Sequence, residues 1–275
     1  MKNYKFNCLS FCILFSLILF SCESTEPELD IVENPYYSVD DLFHLDIFER
    51  SSFDSASNSY FQHSLQLITE HIYPCCNFSI ILNESLGSNG IELEIDSIYK
   101  PSVCLTALGP ATYREEIKLE ENSSTLLSFI NGNVSNKFNV EVSDSLIHIA
   151  SIEDSYIKVS ENFIWRFKEN SFVYSCGTTE ETTWIYDDFK DSILAVQSIE
   201  QFYYSDSGRI PYSREPSGYW VNHPCLFFTY NNEAEWEILK NMLIDYSKNI
   251  ISQHVGIGVY IQNFHGEKEW SWRHD

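Results

Sequence analysis

The stretch from Phe78 to Ile149 constrains the fold most. Its apolar residues recur at every second position. Ile91, Leu93 and Ile95 are interleaved with Glu92, Glu94 and Asp96, and Phe138, Val140 and Val142 repeat the pattern. Side chains of a strand alternate between two faces, whereas a helix brings its apolar residues round every three or four positions. Each run is therefore a strand with one dry face and one wet face. Phe78, Ile80 and Leu82 form another, as do Ile117 with Leu119, Leu126 to Ile130, and Ile147 with Ile149. Val103 and Leu105 follow Pro101 in the same manner. Turn residues separate the runs at 86–90, at Gly109-Pro110 and at Asn131-Gly132; Asn-Gly is a strong hairpin dipeptide.

Short strands at this spacing over residues 71–150 predict an antiparallel β-sandwich, immunoglobulin-like in architecture only, since the Cys–Trp–Cys pattern of antibody domains is absent. Ahead of it, Phe61, Leu65 and Ile68 lie at helical spacing and predict a short helix within a 22–70 segment that begins as a polar tether. Beyond 150 the texture changes. Ile185, Phe189, Ile193 and Val196 form one helical stripe, introduced by a capping box at Thr178 and Glu181. Trp236, Leu239, Leu243 and Tyr246 form a second, introduced by Asn232 and Glu235. Strands are predicted at 172–174, 202–204, 226–228, 255–261 and 269–273. The order β-α-β-β-α-β-β over 151–275 predicts an α+β domain, helices on one face of a mostly antiparallel sheet, with a ferredoxin-like arrangement as one version.

The chain begins with Lys2 and Lys5 and then an apolar run from Leu9 to Phe20. That run is too short to span a hydrocarbon layer, which takes about 20 residues; it fits a secretory leader over 1–21. Leu19-Phe20-Ser21-Cys22 resembles a bacterial lipobox, and the acidic residues Glu23, Glu26 and Glu28 that follow resemble the surface-export signal of Bacteroidota-type lipoproteins. The resemblance implies cleavage before Cys22, diacylglycerol on its thiol, and an address at the outer membrane, at the cell surface or on the periplasmic face. It implies no ligand and no active residues.

Net charge is −23, which repels nucleic acid and anionic headgroups and suits a neutral or cationic partner. Cys75, Cys76, Cys104, Cys176 and Cys225 remain after the leader and the lipidated residue. Outside the cytoplasm thiols tend to be oxidised. One of Cys75 and Cys76 is expected to pair with Cys104, and Cys176 with Cys225. The sequence holds no nucleophile elbow, Walker loop, dinucleotide fingerprint or H-E-x-x-H, so no metal or cofactor is expected. Gly256-x-Gly258 reads as close strand packing.

Asp206 to Pro224 stands apart as a long segment without apolar periodicity; loops of this length are functional more often than short ones. It gathers Arg209, Tyr212, Arg214, Tyr219, Trp220, Asn222 and His223. Aromatic faces stack on sugars and Arg forks grip carboxylates, so these are ligand-binding candidates. Trp270 and Trp272, two positions apart on a terminal strand, are candidates for an aromatic strip. The expected function is a noncatalytic binding or interaction module for a glycan or a surface protein. The alternatives are a carboxylate-based hydrolase in the C-terminal domain and a structural subunit docked on an outer-membrane protein.

Overall fold

The alternating runs fold as strands of one large sheet. The computed structural model describes residues 42–53, 59–87, 90–101, 103, 107–153 and 155–271. All lie within one compact unit. The leader, Cys22, the tether to residue 41, Cys104 and Trp272 fall outside the described residues. The large sheet contains β1 (Phe43–Phe53), β2 (Ser59–Tyr73), β3 (Ser79–Gly87), β4 (Gly90–Tyr99), β5 (Gly109–Ile117), β6 (Ser123–Asn131), β7 (Val134–Val142), β8 (Leu146–Glu153), β9 (Ile157–Val159) and β10 (Phe163–Trp165). Their order is β10-β8-β7-β6-β4-β3-β5-β2-β1-β9.

Only residues 160–162 separate β9, at one end of this order, from β10, at the other. Within that link the Ser160 N–H donates to the Leu45 carbonyl, and the Asn162 carbonyl accepts from Ile149, each at 2.9 Å. The sheet therefore curls until its ends meet, around a core that includes Phe43, Leu45, Ile47, Leu65, Leu67, Phe129, Phe138 and Ile149. An immunoglobulin-like pair of separate sheets is not shown: the strands between 71 and 150 share one hydrogen-bonded path with β1 and β2. The hairpin expected at Asn131-Gly132 forms one residue later: Asn131 pairs with Val134, and Gly132, at φ 59°, and Asn133 make the turn.

Residues 59–73 form a long strand, not the expected helix. His63, Leu65, Leu67 and Thr69 point inward at alternate positions, whereas Ile68 takes the other face, so the helical spacing of Leu65 and Ile68 was coincidental. Two polar residues on the dry face hid the alternation. His63 faces Glu49 across the strand pair, with Nε2 3.5 Å from its carboxylate. Arg166 closes the cluster: its Nε donates to Glu49 at 2.6 Å, and Nη1 and Nη2 donate to Glu121. Burial alone would push the Glu49 carboxyl up. The His63 contact, the Arg166 guanidinium and the Phe167 amide outweigh it and hold the group below the ordinary carboxylate range.

The second sheet contains β11 (Ser171–Thr178), β12 (Glu200–Phe202), β13 (Val221–Asn222), β14 (Leu226–Thr229), β15 (Gly258–Asn263) and β16 (Lys268–Trp270). The order is β12-β14-β11-β15-β16, with β13 beside β11, and every pair is antiparallel. Helices α1 (Trp184–Leu194) and α2 (Glu233–Asn249) cover one face. Ile185, Phe189, Ile193, Trp236, Leu239 and Leu243 pack on Phe172, Tyr174, Phe228 and Ile261. The architecture is thus mostly β, a large sheet and a smaller one with two helices.

The second helix starts at a side-chain cap, whereas the first follows a capped 3-10 turn, Glu180–Thr182, and has no side-chain bond at its own N-cap, Thr183. The Asn232 side chain accepts the Ala234 and Glu235 amides, and Glu235 accepts the Asn231 amide at 2.7 Å. The expected box at Thr178 is displaced by one residue. Thr178 ends β11 with its hydroxyl 2.8 Å from His223, and Thr179 donates its N–H to Thr182 Oγ1 at 3.1 Å instead.

The cysteines need correction. Cys75 is disulfide-bonded, with its expected partner Cys104 outside the described residues. Cys76, Cys176 and Cys225 are free thiols. Cys176 shares the helix-facing side of the sheet with Phe172 and Tyr174, while Cys225 shares the opposite side with Phe227. Strand parity keeps them apart. Burial pushes Cys176 up to about 12 and Cys225 up to about 11, so neither supplies thiolate at neutral pH. A maleimide is expected to label exposed Cys76 in the native protein and to reach Cys176 and Cys225 only in denaturant. Peptide mapping checks this; rapid native labelling of Cys176 would contradict the burial.

Candidate functional site

The segment 203–225 crosses the face of the second sheet that the helices leave open. Most of its singled-out residues are spent on holding it there. Arg209 donates to both oxygens of Asp46 at 2.5 Å and to the Ile47 carbonyl, with its guanidinium 4.3 Å from the Phe48 ring centre. That staples the loop to β1 of the large sheet. Tyr212 is buried with Val173, Ile210 and Phe227, and its hydroxyl donates to the Ser171 carbonyl at 3.1 Å. Arg214 is exposed and donates to the Gly208 carbonyl at 3.0 Å.

The loop then turns outward at its braced tip. Tyr219 lies over Gly177 and Gly258, which pair across β11 and β15. A methyl group at 177 would sit 2.1 Å from the ring, and one at 258 would sit 1.8 Å from the hydroxyl. These two glycines form the slot that admits the tyrosine, which gives Gly256-x-Gly258 its packing role. The Asn222 side chain accepts the Tyr219 amide at 3.3 Å. His223 donates its amide to the Cys176 carbonyl at 3.1 Å and stacks on Tyr186 at 4.5 Å between ring centres. Burial lowers its pKa against the opposing pull of Asp187. His223 is thus held largely neutral at pH 7 and braces the loop.

Between Tyr219 and these braces sits Trp220, 86 % exposed. It overhangs a cleft of about 520 Å³ at the end of β11, whose walls include Glu180, Glu181, Gln253, His254 and Val255. Trp184 stands edge-on to His254 at 5.8 Å, partly exposed at the same end. The cleft offers an aromatic face, two carboxylates as acceptors, and amide and imidazole groups that both donate and accept. Of the described candidates read from the sequence, Trp220 alone lines it. Trp270 packs at a tilt against Tyr260, 4.5 Å between ring centres, with the Lys268 ammonium over both rings. The opposite wall, 253–255, was missed because the Val255 to Ile261 run reads as strand, whereas β15 starts only at Gly258.

A second cleft of about 750 Å³ opens between the sheets, lined by Phe61, Trp165, Phe167, Phe202 and Tyr204. Of its polar lining, Arg166 is engaged by Glu49, Glu121 and the Ser143 carbonyl, and Asp144, Lys168 and Glu169 stand beside it. Among the described residues no cluster of three His, Cys, Asp or Glu side chains is placed to hold a metal ion. Compared with protein-family models, curated proteins and solved structures, the chain matches none.

Proposed function

We propose that the chain is a lipid-anchored binding module of the outer membrane that takes neutral glycans in the cleft beneath Trp220. The exposed indole carries the reading. A large aromatic left in water on an unbraced loop would be unremarked; here Tyr219, Asn222 and His223 hold its backbone on both sides. Its face suits the C–H surface of a sugar ring, and Glu180, Glu181, Gln253 and His254 can meet the hydroxyls. The acidic balance of −23 disfavours anionic ligands. A hydrolase would want two carboxyls in unlike environments, whereas Glu180 and Glu181 are both exposed. The lipobox and the acids after Cys22 support the address.

The second sheet supports a ferredoxin-like reading, because each β-α-β unit is split by a strand of the other: β14 lies between β11 and β12, and β11 between β14 and β15. Such folds host unrelated functions, so the cleft rather than the fold supports the assignment.

A glycan array probed with the purified full chain and with Trp220→Ala tests the proposal. Binding to a subset of neutral glycans is expected, weakened about 30-fold in the variant, the loss of a central aromatic anchor. Stability should move by less than about 0.5 kcal/mol, as for other exposed substitutions. A silent array, equal signals from the two proteins, or glycan turnover would each reject it.

A further inference from the structure

One rim of the large sheet differs from the rest of the surface. The pairings Phe43 with Thr69, Tyr73 with Gly109 and Ser79 with Tyr99 place the ends of β2 and β4 beside the starts of β1, β3 and β5. Along this rim Ile72 and Tyr99 are more than half exposed, Val103 is 71 % exposed and Leu108 is 74 % exposed. The Asn77 side chain donates to the Val103 carbonyl at 2.8 Å, tying the two neighbouring connections together. Those connections read HIYPCCNF over 71–78 and KPSVCLTAL over 100–108, with no acid in either, in a chain that carries 40 acidic residues.

The same rim is where the N-terminal segment reaches the folded body. The Leu42 carbonyl accepts the Glu70 amide at 2.8 Å, directly beside the start of β1. Residues 22–41 extend at most about 70 Å at 3.3–3.6 Å per residue. A tether of that reach does not orient the body, but it keeps the body at high effective concentration over the lipid. Under that condition a few exposed apolar side chains are enough to select which face meets the membrane.

We infer that this rim is the membrane-facing end of the protein, with Val103 and Leu108 entering the headgroup boundary, Ile72 and Tyr99 beside them, and Lys100 meeting the phosphates. The inference rests on the lipid anchor at Cys22. It goes further by assigning a face and an orientation. These two acid-free connections, with Glu70 beside them met by His44 and Lys158, are the part of this acidic chain that a lipid surface repels least.

The test uses the full chain with a fluorescent nitrobenzoxadiazole label on Leu108→Cys, in a Cys76→Ser background. The control label is on Lys118→Cys, just past the opposite end of β5. Vesicles are phosphatidylcholine with brominated acyl chains. In one arm Cys22 is acylated, verified by mass. In the other, a hexahistidine at residue 22 hangs the chain from nickel-chelating lipid, so the rim is read whatever Cys22 carries. Emission at 108 is expected to fall to about half while that at 118 is retained, as shallow insertion of one face requires. Equal quenching at the two positions in the hexahistidine arm overturns the inference and leaves the rim to a protein partner. An unacylated Cys22 with selective quenching at 108 would remove the anchor and keep the rim.

Discussion

Arg166→Ala is expected to destabilise the protein by about 3–5 kcal/mol, the usual cost of stripping one partner from a buried ion pair. Glu49 is the reason. Its side chain is 2 % exposed, on the inner face of β1 where Phe43, Leu45 and Ile47 fill the preceding inward positions. With the guanidinium gone, its charge has only His63 and the Phe167 amide left. Glu121, half exposed, would be hydrated and indifferent.

The pH dependence has a definite sign. In the native chain the Glu49 carboxyl is held below its ordinary value of 4.5. Its contribution is therefore present above that value and lost as pH falls through the lower native one. In Arg166→Ala burial prevails and the carboxyl rises, so its penalty is relieved by protonation. The gap between the two proteins should accordingly narrow as pH drops from about 6 to about 3. Urea titrations across that range measure it. A gap under about 1 kcal/mol, or one that is flat with pH, would show that the cluster is not an electrostatic unit. Glu49→Leu combined with Arg166→Met should cost less than the two single changes added together.

Gly177→Ala is expected to remove ligand binding and to cost about 1–3 kcal/mol, the range for overpacking. The new methyl would meet the root of the Tyr219 ring, 2.1 Å from Cγ and 2.8 Å from Cβ. A rotation of the side chain cannot clear such a contact, so the backbone at 219 must move and carry Trp220 off the lip of the cleft. Adding Tyr219→Ala should restore most of the stability, because the clash is gone, without restoring binding, because the brace is gone too. Calorimetric unfolding and the glycan array read the two effects separately. A Gly177→Ala protein that still binds would break the link between the slot and the indole.

The parts of the fold legible in the sequence are those where cap, period and length agree. Asn232 and Glu235 followed by Trp236, Leu239 and Leu243 could hardly be anything but the start of a helix. Ile91 to Asp96 could hardly be anything but a half-wet strand. Residues 59–73 were misread because His63 and Thr69 face the core through polar partners, Glu49 and the Ala111 backbone, which no periodicity argument can foresee. The cystine expected at Cys176 and Cys225 failed on parity. Once Tyr174 is set against Leu226 in the register, residues 176 and 225 fall on opposite faces, but the register itself is not written in either strand.

The cleft was half visible. A loop rich in Arg, Tyr and Trp announces work of some kind, yet Arg209 and Tyr212 turn out to be structural, anchored on Asp46 and Ser171. Trp220 differs from them in that no described residue buries it, which is a property of the tertiary arrangement. Gln253 and His254 come from the far side of the second sheet, after α2, and nothing local marks them as neighbours of Glu180.

The most direct test of the glycan site is a titration of indole resonances in the ¹⁵N-tryptophan-labelled chain with neutral oligosaccharides. Trp236, buried and donating to Glu267 at 2.6 Å, serves as the internal control. The account predicts that the Trp220 indole shifts or broadens in proportion to bound sugar while Trp236 stays still. A sugar that binds without moving Trp220, or moves it no more than Trp236, would contradict it.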